Sequence, residues 1–162
     1  MVKLLENFIT EKEEIEILSH VHHTQVASGA GRNMITRFGS KLPYNSRIQS
    51  LTVPKHFQFL LQRLVDHGIT PILPDHITVN EYHIGQSIDW HTDSKGSGPI
   101  IMVLSMMSPA IMGLKKENEV IEYNLTPRSL VVMDGDHRWD WKHCIYPVKE
   151  KRFSMVFRKG TQ

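Results

Sequence analysis

Two histidines and a carboxylate are the residues of this chain best suited to chemistry. His91 and Asp93 form a His-x-Asp pair, and His143 follows well downstream. That donor set is the facial triad of non-haem Fe(II) sites, which leaves coordination positions open for a co-substrate and O2. On a strand, residues i and i+2 point the same way, so His91 and Asp93 can converge on one ion. Zinc accepts the same donors. The pair alone says little, and its meaning comes from what flanks it.

Two arginines supply that context. In residues 152–158, Arg152, Ser154, Val156 and Arg158 share one face of a strand, and Phe153, Met155 and Phe157 share the other. In residues 76–83, Thr78, Asn80 and Tyr82 alternate in the same way with Ile77, Val79 and Glu81. The apolar set should pack against a helix or second sheet, which sends both arginines inward. A buried guanidinium is costly unless an anion meets it. A small dicarboxylate held by an arginine fork satisfies that demand. Zinc alone leaves Asn80, Tyr82 and Arg152 without a purpose.

The elements that must carry these groups follow from periodicity. Thr10 and Glu13 form a capping box for a helix bearing Ile15, Ile17, Leu18 and Val21. A second helix fits 55–67, with Phe59, Leu60, Leu61, Leu64 and Val65 inward and Gly68 ending it. Residues 27–32 read as a small, flexible segment, and 32–45 as extended or looped, punctuated by Phe38-Gly39 and Pro43-Tyr44. From residue 76 the period becomes 2. Strands are expected at 76–83, 99–107, 129–133 and 152–158, with a hairpin of 111–115 and 120–125. The expected fold is α+β: a double-stranded β-helix (jelly roll) core with an N-terminal helical layer. One domain over 1–162 is expected, with helices in 1–75 and the catalytic core in 76–160.

Composition narrows the class. Hydrophobic residues at 40% and charged residues at 22% suit a soluble globular chain. No apolar run approaches the roughly 20 residues that span a bilayer, so no membrane partner is expected. Cys144 is the one cysteine, which excludes an intrachain disulfide and fits a reducing compartment, cytoplasmic or nuclear. The net charge of +2 hides an uneven spread. Residues 17–65 hold no acid, but Arg32, Arg37, Lys41, Arg47, Lys55 and Arg63; the C-terminal part holds Lys142, Lys149, Lys151, Arg152, Arg158 and Lys159. Two basic segments suit a polyanion or a solvated face equally.

Together, Asn80-x-Tyr82-x-x-Gly85, His91-x-Asp93, His143 and Arg152-x-Ser154-x-x-x-Arg158 resemble, in order and spacing, the motif set of the AlkB-like Fe(II)/2-oxoglutarate dioxygenases. The resemblance is good over 76–160 and weaker over 1–75. It implies that His91, Asp93 and His143 bind Fe(II), that Arg152 pairs with the far carboxylate of 2-oxoglutarate, and that Asn80, Tyr82, Ser154 and Arg158 line the co-substrate pocket. With O2 as the oxidant, succinate and CO2 are the implied co-products. Arg37-Phe38-Gly39 and Tyr44 look like the family's nucleotide-recognition lid, with Arg32, Lys41 and Lys95 as further substrate contacts. Lys95 stands where base-repair members carry a second carboxylate, Cys144 where a glycine is usual, and Ser154 and Val156 where Asn and Thr are common. In detail the chain is most similar to AlkB homologues that hydroxylate a modified wobble uridine in tRNA. The implied function is demethylation or hydroxylation of a modified nucleobase in RNA or DNA by a monomer. Two alternatives stay open: the same chemistry on a protein or small molecule, and a non-catalytic nucleic-acid-binding module.

Overall fold

The computed structural model describes residues 1–21, 25–26, 33–40 and 50–160. The expected segment 27–32, and Arg32, Lys41 and Tyr44, lie outside the described residues. In chain order the elements are β1 Val2–Leu5, α1 Glu11–Ser19, β2 Gln25–Val26, β3 Met34–Gly39, β4 Ser50–Leu51 and α2 Lys55–Asp66, then β5 His76–Tyr82, β6 Ile88–His91, β7 Ile101–Met106, β8 Ala110–Lys116, β9 Glu119–Leu125, β10 Leu130–Met133, α3 Gly135–Trp139, β11 Lys142–Ile145 and β12 Arg152–Arg158.

The two alternating segments become neighbours. β12 pairs antiparallel with β5, setting Arg152 opposite Tyr82, Ser154 opposite Asn80, Val156 opposite Thr78 and Arg158 opposite His76. Residues directly opposite share a face, so the two polar sets coincide. These strands sit inside an eight-stranded sheet ordered β1-β10-β7-β12-β5-β3-β2, with β4 parallel to β3. A four-stranded sheet, β6-β11-β8-β9, carries His91 and His143. The expected hairpin is β8–β9. The large sheet takes β1 and β3 from the N-terminal part, so no structural seam falls at residue 76.

The core has two compartments. On one side of the large sheet, Ile77, Val79, Met155 and Phe157 pack with Phe57, Leu60 and Leu64 of α2 and Ile17 of α1. On the other, Tyr82, Val131 and Val156 meet Met112, Leu114 and Ile145 of the small sheet. The architecture is thus α+β, with two helices behind a two-sheet core.

Local signals explain the helices. Glu13 N donates to Thr10 Oγ1 at 3.1 Å and Thr10 N to Glu13 Oε2 at 2.9 Å, closing the capping box. α2 buries Phe57, Leu60, Leu61 and Leu64, a helical stripe. Phe59, expected inward, lies at the rim beneath the Arg63 guanidinium, and Phe57 takes the inner place. Ile15 is likewise exposed, and Val21 lies beyond α1.

Arg37-Phe38-Gly39 closes β3 in the body of the sheet. Gly39 has φ +90°, and a Cβ there would meet Asp75 O at 2.0 Å, so glycine permits the close approach. Among the described residues, no helix is long and apolar enough to cross a membrane.

Candidate metal centre and co-substrate pocket

The ligand residues converge through two strands and the turn after one of them. His91, the last residue of β6, sits opposite His143 on β11, with ring centroids 4.2 Å apart. Asp93 lies beyond the strand, so strand alternation alone does not place it. Even so, its Oδ1 is 3.4 Å from His91 Nε2 and 3.7 Å from His143 Nε2. One ligand atom from each residue lies within 4.8 Å of the others, and among the described residues no other group of three does so.

Neighbours orient these donors. His91 Nδ1 lies 2.8 Å from Asp89 O, and donation there leaves Nε2 as the lone-pair nitrogen. Arg158 donates from Nε to Asp93 Oδ2 at 2.8 Å, and its Nη2 lies 2.8 Å from the same oxygen. One carboxylate oxygen is thereby held while the other faces both imidazoles. Burial opposes ionisation of Asp93, but Arg158, His91 and His143 overcome it and hold the carboxyl well below the usual range. Burial, with His91 nearby, pushes His143 down to about 4. An ionised carboxylate and a neutral imidazole are the protonation states that metal binding needs.

Beside this cluster lies the arginine pocket. Arg152 is fully buried, with its guanidinium carbon 4.9 Å from the Tyr82 ring centroid. Its Nη2 donates to Ser105 Oγ at 2.8 Å, while Nε and Nη1 have no partner among the described residues. Burial pushes the guanidinium's pKa down, and the Tyr82 hydroxyl's up. Two orphaned N–H groups on a buried cation match a carboxylate ligand. Ser105, Ser154 and Asn80 stand in one cross-strand row. Asn80 Nδ2 donates to Ser154 Oγ at 3.2 Å, and Asn33 Nδ2 donates to Asn80 Oδ1 at 2.7 Å.

Sequence reasoning missed Asn33 and Ser105 as pocket residues, and gave Thr78 its face but no role. Thr78 Oγ1 accepts from Arg158 Nη1 at 3.1 Å and lies 2.9 Å from His76 Nε2, while His76 Nδ1 lies 2.7 Å from Ser40 O. His76 is therefore a bonded core histidine, not a ligand. A small polar residue facing Arg152 or Arg158 in an apolar strand was the available signal.

The expected substrate residues separate. Arg37 sits opposite Thr78, so it faces the pocket side and is buried there. Phe38 sits opposite Ile77 on the helix side, edge-to-face with Phe57 at 5.7 Å. It is a core residue and cannot stack on a base, because strand alternation points it away from the pocket. Lys95 is exposed and opens a 3-10 turn, Lys95–Ser97, two residues past Asp93. Several basic residues are already engaged: Arg63 pairs with Glu13, Lys151 with Glu81 and Lys159 with Asp75. Cys144 lies on the face opposite His143, where burial pushes its thiol up. Its cross-strand partner is Gly113, where a Cβ would meet Trp90 at 2.6 Å and Cys144 Sγ at 2.9 Å.

Comparison with known proteins agrees with this geometry. Residues 37–159 match the 2OG-Fe(II) oxygenase superfamily. The chain is 28% identical to the uncharacterized protein L905 of Acanthamoeba polyphaga mimivirus, over 96% of this chain and 82% of that protein. It is also 28% identical to the mouse tRNA (carboxymethyluridine(34)-5-O)-methyltransferase ALKBH8, over 90% of this chain but only 24% of the relative's length. The solved structure of OsALKBH1 superposes with a TM-score of 0.77 at 15% identity, covering 98% of this chain and 96% of that one. The chain belongs to the 2OG-Fe(II) oxygenase superfamily as an AlkB-like member, with His91, Asp93 and His143 as the metal-binding triad typical of that class.

Proposed function

We propose that this chain is a Fe(II)/2-oxoglutarate-dependent dioxygenase that demethylates or hydroxylates a modified nucleobase in RNA or DNA, on a double-stranded β-helix (jelly roll) scaffold. The observation that carries the reading is the pairing of two features in one inter-sheet space: a His-Asp-His triad whose carboxylate is held ionised, and a buried Arg152 whose Nε and Nη1 are open.

His91, Asp93 and His143 would hold iron, and Arg152 would take the far carboxylate of 2-oxoglutarate through Nε and Nη1. When bound, iron supplies O2 activation coupled to conversion of 2-oxoglutarate to succinate and CO2, with oxidation of a substrate C–H bond. Arg158 keeps the Asp93 carboxylate ionised and aimed. Asn80, Tyr82 and Ser154 shape the co-substrate pocket and keep its polar groups bonded. Oxidation at a methyl on nitrogen gives a hemiaminal that releases formaldehyde, whereas a carbon-bound position keeps the new alcohol.

Likeness to the ALKBH relatives supports a nucleic-acid substrate, as do the bases of the acid-free N-terminal stretch. Arg32, Arg37, Lys41, Tyr44 and Lys95 are the proposed substrate contacts, in a single-domain monomer. Lys95 in place of a carboxylate disfavours a cationic methylated base and leaves neutral modified bases as the better candidates.

The test is incubation with Fe(II), 2-oxoglutarate, O2 and a panel of modified oligonucleotides, read by mass spectrometry. Mass lost as one CH2 identifies demethylation, and mass gained as one oxygen identifies hydroxylation. Succinate formed with every oligonucleotide unchanged overturns the nucleobase assignment.

A further inference from the structure

Asp93 must present its carboxylate between two histidines although its backbone has left the sheet. The ladder between β6 and β11 ends at the His91–His143 pair. The missing support comes from Arg138 of α3, a side chain only 3% exposed. Its Nη1 donates to Asp93 O at 3.1 Å, its Nη2 to Ser94 O at 2.6 Å and its Nε to Gly98 O at 2.9 Å. A planar guanidinium with donors in a fixed fork imposes one relative placement on the three carbonyls.

The far end of the same loop is also pinned. Gly98 has φ +80°, and a Cβ there would lie 2.2 Å from Lys159 O, just past β12. Residues 93–98 are therefore held between α3 and the end of β12. Arg138 belongs to the segment that runs directly into β11 and His143. One side chain thus joins the backbone of the carboxylate ligand to the approach of the second histidine. Arg158 grips the carboxylate of Asp93, and Arg138 grips its peptide.

We infer that Arg138 is a positioning residue for the metal centre: it fixes the Asp93 backbone so that the triad is assembled before the ion arrives. The inference rests on the metal site proposed above, and deepens it. Loss of such outer support typically weakens metal affinity by roughly 10–100-fold.

The test is Mn(II) titration of the purified chain, with free ion read by electron paramagnetic resonance, beside thermal melting. Arg138→Met should weaken Mn(II) binding by roughly 10–100-fold, and Arg138→Lys, which keeps a donor and the charge, should recover part of it. Arg63→Met removes a half-buried arginine that holds Phe8 O and Glu13 far from the triad, and should bind Mn(II) like the parent. Parental affinity in both Arg138 variants overturns the inference, as does an equal loss in Arg63→Met at matched melting temperature. If Arg138→Met fails to fold, Arg138→Lys against Arg63→Met decides by the same criterion. Failure of the unaltered chain to bind Mn(II) overturns the metal site itself, a result distinct from the others.

Discussion

The two faces of the β5–β12 pair are made from alternate residues of the same strands and are buried alike, yet they do opposite work. On the helix side, Ile77, Val79, Met155 and Phe157 are 0% exposed and complete an apolar cluster. On the inner side, Thr78, Asn80, Tyr82, Arg152, Ser154 and Arg158 are also buried, but polar, and Arg152 keeps two N–H groups open. The apolar face is finished by the protein itself. The polar face is finished only by what binds there. Burial does not tell the two apart; completeness of partnering does.

The comparison breaks most simply at the polar face. Asp93 lies across from that face in the grip of its Arg158; Asp93→Ala should abolish succinate formation, measured with excess iron and 2-oxoglutarate, and full turnover would remove the chemistry from the space this face lines. The complementary change is Phe157→Ala, which should lower stability by roughly 3–5 kcal/mol in urea unfolding through transfer and cavity costs. Under folding conditions its KM for 2-oxoglutarate should stay near the parent's.

A pH experiment sharpens the contrast, because the polar face contains a buried base. Burial pushes His76 from 6.5 down to about 4. Between those values the unfolded chain binds the extra proton, so its stability penalty is absent above about pH 6.5 and grows as pH falls toward 4. The loss should reach roughly 3 kcal/mol at the acid end, and His76→Gln should flatten that slope relative to the parent.

Arg152→Met should separate binding from stability. Without an arginine partner, co-substrate affinity should fall by roughly 2 kcal/mol or more, seen as a raised KM for 2-oxoglutarate. Stability without co-substrate should hold or rise, since an incompletely satisfied buried cation is replaced by an apolar chain. A fall as large as that of Phe157→Ala would erase the distinction between the faces. The smallest effect belongs outside both faces. Arg63 holds Glu13 down at about 2, so that pair stabilises above about pH 4.5 and its contribution is lost as pH falls through about 2. Glu13→Gln should cost about 1 kcal/mol at pH 7, because the pair is partly solvated.

Much of this is legible in the sequence. Alternation sets the faces of β5 and β12, and the register Arg152–Tyr82 through Arg158–His76, which the sequence does not specify, lays the two polar faces side by side. The capping box of α1 is local chemistry, and it reads directly. What stayed hidden depends on pairing between distant segments. β6 and β11 are four residues each, with mixed polarity, so their period is too short to see. Phe38 reads as a lid residue because the pairing of β3 with β5, which turns it toward α2, is not written in its own neighbours. Asn33, Ser105 and Arg138 are ordinary polar residues until register or a loop's path brings them beside the site.

Gly113 carries one last consequence. It sits close against Trp90 and Cys144, the chain neighbours of His91 and His143. A methyl group there would collide with the Trp90 ring and with Cys144 Sγ on β11, and something on the ligand strands would have to shift. The three positions therefore form a shared volume allowance: a relative with a side chain at 113 must hold something smaller at 90 or 144 to keep the same spacing of its imidazoles. Substitutions at these sites should appear together among related sequences, marking the triad's geometry from the side that never meets the metal.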